Sequence, residues 1–273
     1  MSILTKRAWR GVEAKCKALF NTQGRSNLSK EAIERHCRGY ILVIPVPTRW
    51  TSEFNAYQRI VDLFEKTDGN LNGLMDELGF QRFSDNDVTM LNEYCKVYNP
   101  FIRAINVLQG ERSCYVGFLL PIITKLKKEL TDMSTNSTFC AFLTEALIAG
   151  IDKRFEEDFA KDEYYIAAAL HPQIKLSWLE SAEKRTYIWG LIRDEVRAIE
   201  AKDATTKSVR KPSKPGAGDV DFFFPKGDHS AVDDLESYIS QPAGRPLEDL
   251  NRYPILKQLF RKYNTLLPSS GNL

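Results

Sequence analysis

The chain predicts a mainly α-helical fold, a multi-helix bundle followed by a short helical C-terminal segment. Three observations carry this. Apolar residues recur at three- and four-residue spacing through most of the sequence, the mark of helices with one buried face. Ser, Thr or Asp precedes many of these runs and Gly or Pro follows them, as helix starts and stops require. Only one apolar run, Tyr40 to Ile44, reads as extended, and Pro45 and Pro47 break it.

Taken in order, residues 4 to 22 place Leu4, Ala8, Val12, Cys16 and Leu19 or Phe20 on one face and Lys6, Arg7, Lys15 and Lys17 on the other. Ser29 is expected to cap a helix from Lys30 to Arg38 that Gly39 stops. After the extended run, Thr51 or Ser52 caps a third helix with Glu53 in its first turn. Its stripe is Phe54, Tyr57, Ile60, Val61 and Phe64, ending near Asp68-Gly69. A short helix covers Leu71 to Leu78. Ser84 or Asp85 then caps a long one reaching Leu108, in which Pro100 is expected to make a kink.

Cys114 to Leu130 reads as the next helix, with Pro121 in its interior and Lys125, Lys127 and Lys128 in its last turns, where cations suit the helix dipole. Phe139 to Phe159 follows from a Ser137-Thr138 start, with Phe142, Leu143, Leu147, Ile151 and Phe155 buried in turn. Asp162-Glu163 opens Tyr164 to Leu170, which His171-Pro172 stops. Ile174 to Leu179 is a connection, and Ala182 to Ala201 ends the bundle. Residues 1–201 are thus expected as a bundle, 202–229 as a flexible linker rich in Lys, Pro, Gly and Ser, and 230–273 as a C-terminal segment. Two short amphipathic helices in that segment, around Leu235 and around Leu259, bury little area alone and need a partner surface, either the bundle or another chain.

The 273 residues are 43% hydrophobic and 27% charged, as expected of a chain that buries a sizeable core, and the net charge of +2 excludes a uniformly basic coat. The five cysteines, Cys16, Cys37, Cys95, Cys114 and Cys140, are widely spaced and form no C-x-x-C pair. They read as free thiols of a reduced, intracellular protein rather than as zinc ligands or disulfides. No stretch approaches the roughly 20 apolar residues that span a bilayer, so no membrane partner is expected. No phosphate loop, H-E-x-x-H or G-x-S-x-G pattern occurs, and Glu156, Glu157 and Asp158 read as a solvated helix face. The expectation is no enzyme, no catalytic residue, no metal site and no cofactor.

Four blocks resemble the hAT superfamily of DNA transposases and proteins derived from them. Pro47-Thr48-Arg49-Trp50-Thr51-Ser52 looks like its (T/V)RW(N)S block, and Tyr98-Asn99-Pro100-Phe101-Ile102-Arg103-Ala104 its L-x-P-F-x-x-A/T helix. Ala167 to Lys175 is similar to A-x-x-L-D-P-R-F-K, with His171 in the aspartate position. Tyr253-Pro254-Ile255-Leu256 with Leu267-Pro268-Ser269-Ser270 resembles the dimerisation segment, with Leu247-Glu248-Asp249-Leu250 where a Trp pair usually stands.

The resemblance implies the helical insertion domain of a ribonuclease H-like transposase, plus a truncated C-terminal dimerisation segment. No residues match the family's catalytic acids or its zinc finger. A domesticated or truncated protein without transposase activity follows, or alternatively a DNA-binding, transcription-associated relative or a fragment of an active transposase. By the same resemblance, Arg49 and Trp50 would contact DNA as a phosphate-binding cation and a stacking ring; Trp50 as a core anchor at the helix start is the other reading. Leu235, Tyr238, Ile239, Tyr253, Pro254, Leu256, Leu259 and Phe260 would serve dimerisation, with another copy or a related hAT-derived protein as partner. The basic run Lys207, Arg210, Lys211 and Lys214 fits a nuclear address, the alternative being cytoplasmic.

Overall fold

A computed structural model describes residues 3–22, 27–37, 39–46, 50–66, 70–110, 115–135, 137–208 and 230–264. Among the described residues the fold is all-α, with eleven α-helices, two 3-10 turns and no β-sheet. The chain divides into two compact units. The first joins residues 1–105 to 126–153 and the second joins 106–125 to 154–273. This grouping cuts the expected bundle in two, and the C-terminal helices fall in the second unit.

In the first unit, α1 (Ile3–Thr22) buries Val12, Cys16, Leu19 and Phe20, one helical face as read from the sequence. Ala8, expected on that face, is exposed. Helix α2 (Asn27–Cys37) begins two residues before Ser29, so Ser29 lies inside it. Gly39 follows with φ +83°, the left-handed conformation that glycine adopts without Cβ strain. Residues 40–46 form neither helix nor strand, with Leu42 buried. Helix α3 (Trp50–Lys66) buries Phe54, Tyr57, Ile60, Val61 and Leu63. The Ser52 hydroxyl accepts the Val46 N–H at 2.7 Å and donates to the Val46 carbonyl at 3.0 Å, fastening the end of the 40–46 segment to the first turn of α3.

After the short α4 (Leu71–Glu77), Ser84 and Asp87 form reciprocal bonds at the start of α5 (Asp85–Leu108): the Asp87 N–H donates to the Ser84 hydroxyl at 3.2 Å, and the Ser84 N–H donates to the Asp87 carboxylate at 2.7 Å. The Lys15 ammonium meets the same carboxylate at 2.6 Å and ties α1 to α5. Pro100 lies within α5 and is buried.

Helix α6 (Leu119–Ser134) starts later than expected, after a 3-10 turn at Val116–Phe118, while Cys114 lies outside the described residues. Pro121 therefore falls in the first turn, where a missing N–H costs nothing, and not in the interior. The helix also runs past Leu130, so Lys125, Lys127 and Lys128 sit mid-helix and the dipole account of them fails. Lys127 instead pairs with Asp152 on α7 (Ala141–Ala160).

The second unit packs α8 (Asp162–Ala169) and α9 (Ala182–Ser208) with α10 (Ala231–Ser240) and α11 (Pro254–Tyr263). Helix α9 continues seven residues beyond the expected end at Ala201. It buries Ile188, Ile192 and Val196 at four-residue steps, and α10 answers with Ala231, Leu235 and Tyr238. Ser230 and Asp233 make a capping box for α10, and the Ala231 N–H donates to Glu200 of α9 at 2.8 Å. Below them, buried Lys175, with φ 51°, donates to the carbonyls of Tyr238 and Gln241 at the end of α10.

Candidate functional site

The first unit holds an aromatic cleft of about 360 Å³, built by α1, α3, α5 and α7. On α5, Tyr94 and Tyr98 are one helical turn apart, so their rings lie side by side with centroids 4.5 Å apart. Trp9 of α1 stacks on Tyr94 at 4.5 Å and 17°. Tyr57 of α3 meets Tyr94 edge-on at 5.3 Å and 87°, an arrangement that suits the ring quadrupoles. The rest of the lining is Phe139, Cys140, Phe142 and Leu143 at the start of α7 and Met90 on α5.

Among the described residues that line this cleft, Glu53 is the single carboxylate. The Tyr57 hydroxyl donates to it at 2.9 Å, a turn away on α3. Burial pushes the Tyr57, Tyr94 and Tyr98 phenols above their ordinary value, and the charge of Glu53 pushes each of them further. They remain neutral hydroxyls in water at any ordinary pH. Burial likewise raises the Cys140 thiol to about 12, so it stands in the wall as a small apolar side chain and not as a nucleophile.

The α7 side of the cleft is held by a residue that the sequence does not flag. Glu93 of α5 accepts from the Ser137 hydroxyl at 2.7 Å and from the backbone N–H groups of Thr138, Phe139 and Cys140 at 2.9, 2.7 and 3.0 Å. It satisfies the backbone donors of the three residues that lead into α7 and so fixes where Phe139 and Cys140 stand. Only the neighbouring Ser137-Thr138 pair signals a helix start, since Glu93 acts across 44 residues.

Of the α7 residues expected to be buried in turn, only Ile151 is. Phe142, Leu143, Leu147 and Phe155 are half-exposed. For Phe142 and Leu143 the reason is the cleft they line. Glu156 and Glu157 are exposed, as expected of a solvated face.

A second, polar cleft in the same unit is lined by Glu65, Glu93, Glu129 and Asp132, but Glu93 is committed to α7 and Glu129 pairs with Arg103. Among the described residues no group of three His, Cys, Asp or Glu could hold a metal ion, and no helix is long and apolar enough to cross a membrane. Cys16, Cys37, Cys95 and Cys140 are free and buried.

The residues singled out by resemblance sit elsewhere. Arg49 lies outside the described residues, and Trp50 is the first residue of α3, its side chain also outside them. Leu235, Tyr238, Tyr253, Leu256, Leu259 and Phe260 are all buried within the core of their own unit, Ile239 packs against that core, and Pro254 is exposed at the first position of α11. Burying side chains of this size is worth about 1.5–3 kcal/mol each. Offering these six to another chain would strip the unit of most of that contribution. The Tyr238 hydroxyl also donates to the Ala169 carbonyl at 3.1 Å, a bond inside the same core.

No protein-family model and no curated protein matches this chain. The descriptions transposase-like, transposable-element-derived, ribonuclease H-like and DNA-binding, which the four sequence blocks suggested, are corrected on that finding; all-α describes the molecule.

Proposed function

We propose that this protein works by binding rather than by catalysis, and that the aromatic cleft of the first unit is where it binds. One observation carries the reading. Trp9, Tyr94, Tyr98, Phe139, Phe142 and Leu143 are only partly buried and all line one concavity, where Trp9, Tyr94, Tyr98 and Phe139 pack with one side against the core and leave the other on the cleft. Concave, mostly apolar surfaces with a few convergent polar groups are where small ligands bind. The chemistry on the cleft supports binding over reaction: neutral phenols, a neutral thiol and one carboxylate offer hydrogen bonds and a charge but no paired acid and base.

A neutral solvatochromic dye tests this. Fluorescence should rise on adding the native protein and fall with Leu143→Trp, which fills the cleft, while both proteins melt at similar temperatures. Equal fluorescence from the two proteins would place the dye elsewhere and remove the cleft from the reading.

A further inference from the structure

We infer that the ligand of this cleft is an organic ammonium compound, with a compact apolar body and a cationic head that docks on Glu53. The inference rests on the binding role assigned above to the cleft and names what it selects. Three features argue for it together. The walls are aromatic faces and aliphatic or thiol groups, which match an apolar body. Among the described residues the charge on the cleft is a lone carboxylate: Glu53 lines it, and no described Lys, Arg or His does. Lys17, whose ammonium feels Glu53, is exposed and committed to Glu13 one turn away on α1. Finally, hydrogen-bonding capacity is left over. The Tyr57 hydroxyl supplies one bond to Glu53, whereas a carboxylate accepts about four. Tyr94 and Tyr98 also line the cleft, and their hydroxyls bond to each other, which uses one donor and leaves acceptor capacity on the oxygens.

An ammonium group has three N–H donors and no acceptor. It can reach the free capacity of Glu53 and a tyrosine hydroxyl at once, while electron-rich ring faces favour a cation beside them. A carboxylate or phosphate ligand meets repulsion at the same place. A neutral alcohol of the same shape keeps the apolar contacts and one hydrogen bond but loses the charge pairing, which in a half-buried setting is worth about tenfold or more in affinity.

The test is calorimetric titration of the full-length protein with three probes of one shape: 2-phenylethylammonium, 2-phenylethanol and 3-phenylpropanoate. The expected order is ammonium first, alcohol about tenfold weaker and carboxylate undetectable. In Glu53→Gln, which keeps the size of the side chain and an acceptor for Tyr57, the ammonium should fall to the level of the alcohol. Raising the salt concentration should weaken the ammonium alone.

Equal affinity for ammonium and alcohol overturns the cationic specificity and leaves the cleft a binding site. Tightest binding by the carboxylate does the same. Failure of all three probes to bind, or equal binding to wild type and to Leu143→Trp, overturns the cleft itself. The probe series on the wild-type protein decides the question even if Glu53→Gln does not fold.

Discussion

Asn264 and Gly117 are locked together in the second unit. The Gly117 N–H donates to the Asn264 side-chain oxygen at 3.0 Å, and the Asn264 amide nitrogen donates to the Ala167 carbonyl at 2.8 Å, all of it buried. One asparagine thus satisfies two backbone groups, on the 3-10 turn before α6 and on α8, that no helix can pair. The site also requires glycine: a Cβ at 117 would lie 2.6 Å from the Ala167 carbonyl oxygen and 2.7 Å from Asn264 Oδ1. Asn264→Ala leaves both backbone groups buried and unpaired, so urea unfolding should show a loss of about 2–4 kcal/mol. Gly117→Ala should destabilise as well, because backbone cannot yield as a flexible side chain could. An unchanged midpoint in Asn264→Ala would show that water replaces the clamp.

His171 provides a pH dependence. Its ring is 2% exposed and lies among Tyr115, Phe118 and Phe260, with ring centroids 5.7, 4.7 and 5.7 Å away. Nδ1 accepts the Gln173 N–H at 3.3 Å, and burial lowers the pKa from 6.5 to about 4. Between those values the unfolded chain binds more protons than the folded one. The stability that comes from keeping His171 neutral is therefore complete above about pH 6.5 and is lost as pH falls toward 4. The loss is at most about 3 kcal/mol. His171→Phe should lose less stability than wild type between pH 7 and about pH 4.5, read from urea midpoints at both. Parallel losses in the two proteins would assign the acid sensitivity to other groups.

The cysteines give a prediction about access. Burial raises the thiols of Cys37, Cys95 and Cys140 to about 11, 12 and 12, and that of Cys16 above its ordinary value as well. The thiolate is the reactive form, so all four should resist iodoacetamide at pH 8 in the native protein and react fully in urea, as read by peptide mass mapping. Native labelling at any one of them would show local opening at that helix.

What was legible in the sequence was what local chemistry decides. The Ser84 start of α5, the Gly39 stop after α2 and the Val12-Cys16-Leu19 face of α1 each follow from spacing and capping within a few residues. Errors arose where distant groups decide. Pro121 looks interior until Tyr115–Phe118 is seen to form its own turn, held from Asn264, which moves the start of α6 to Leu119. Tyr238, Leu256 and Phe260 call for a partner that the sequence leaves open between the bundle and another chain, because α8 and α9, which cover them, lie far away in the chain. The cleft was hidden for a related reason. Phe142 and Leu143 have the spacing of core residues, and periodicity cannot tell a side chain that fills the core from one that lines a concavity beside it.

Glu93 joins fold and site, so it carries the last prediction. Its carboxylate accepts four hydrogen bonds at the start of α7. Burial raises its pKa, but the bonds from Ser137, Phe139, Thr138 and Cys140 outweigh this and hold it below the ordinary 4.5. The ionised cap therefore stabilises the fold at pH values above about 4.5 and fails as pH drops through the lowered value. Glu93→Ala should cost about 2–4 kcal/mol at neutral pH, and Glu93→Gln, which keeps one acceptor oxygen, about half of that. Because Phe139 and Cys140 hang from these bonds, dye binding in the cleft should fall in Glu93→Ala at temperatures where the protein remains folded by circular dichroism. Loss of stability with unchanged dye binding would mean that the α7 wall holds its place without the cap.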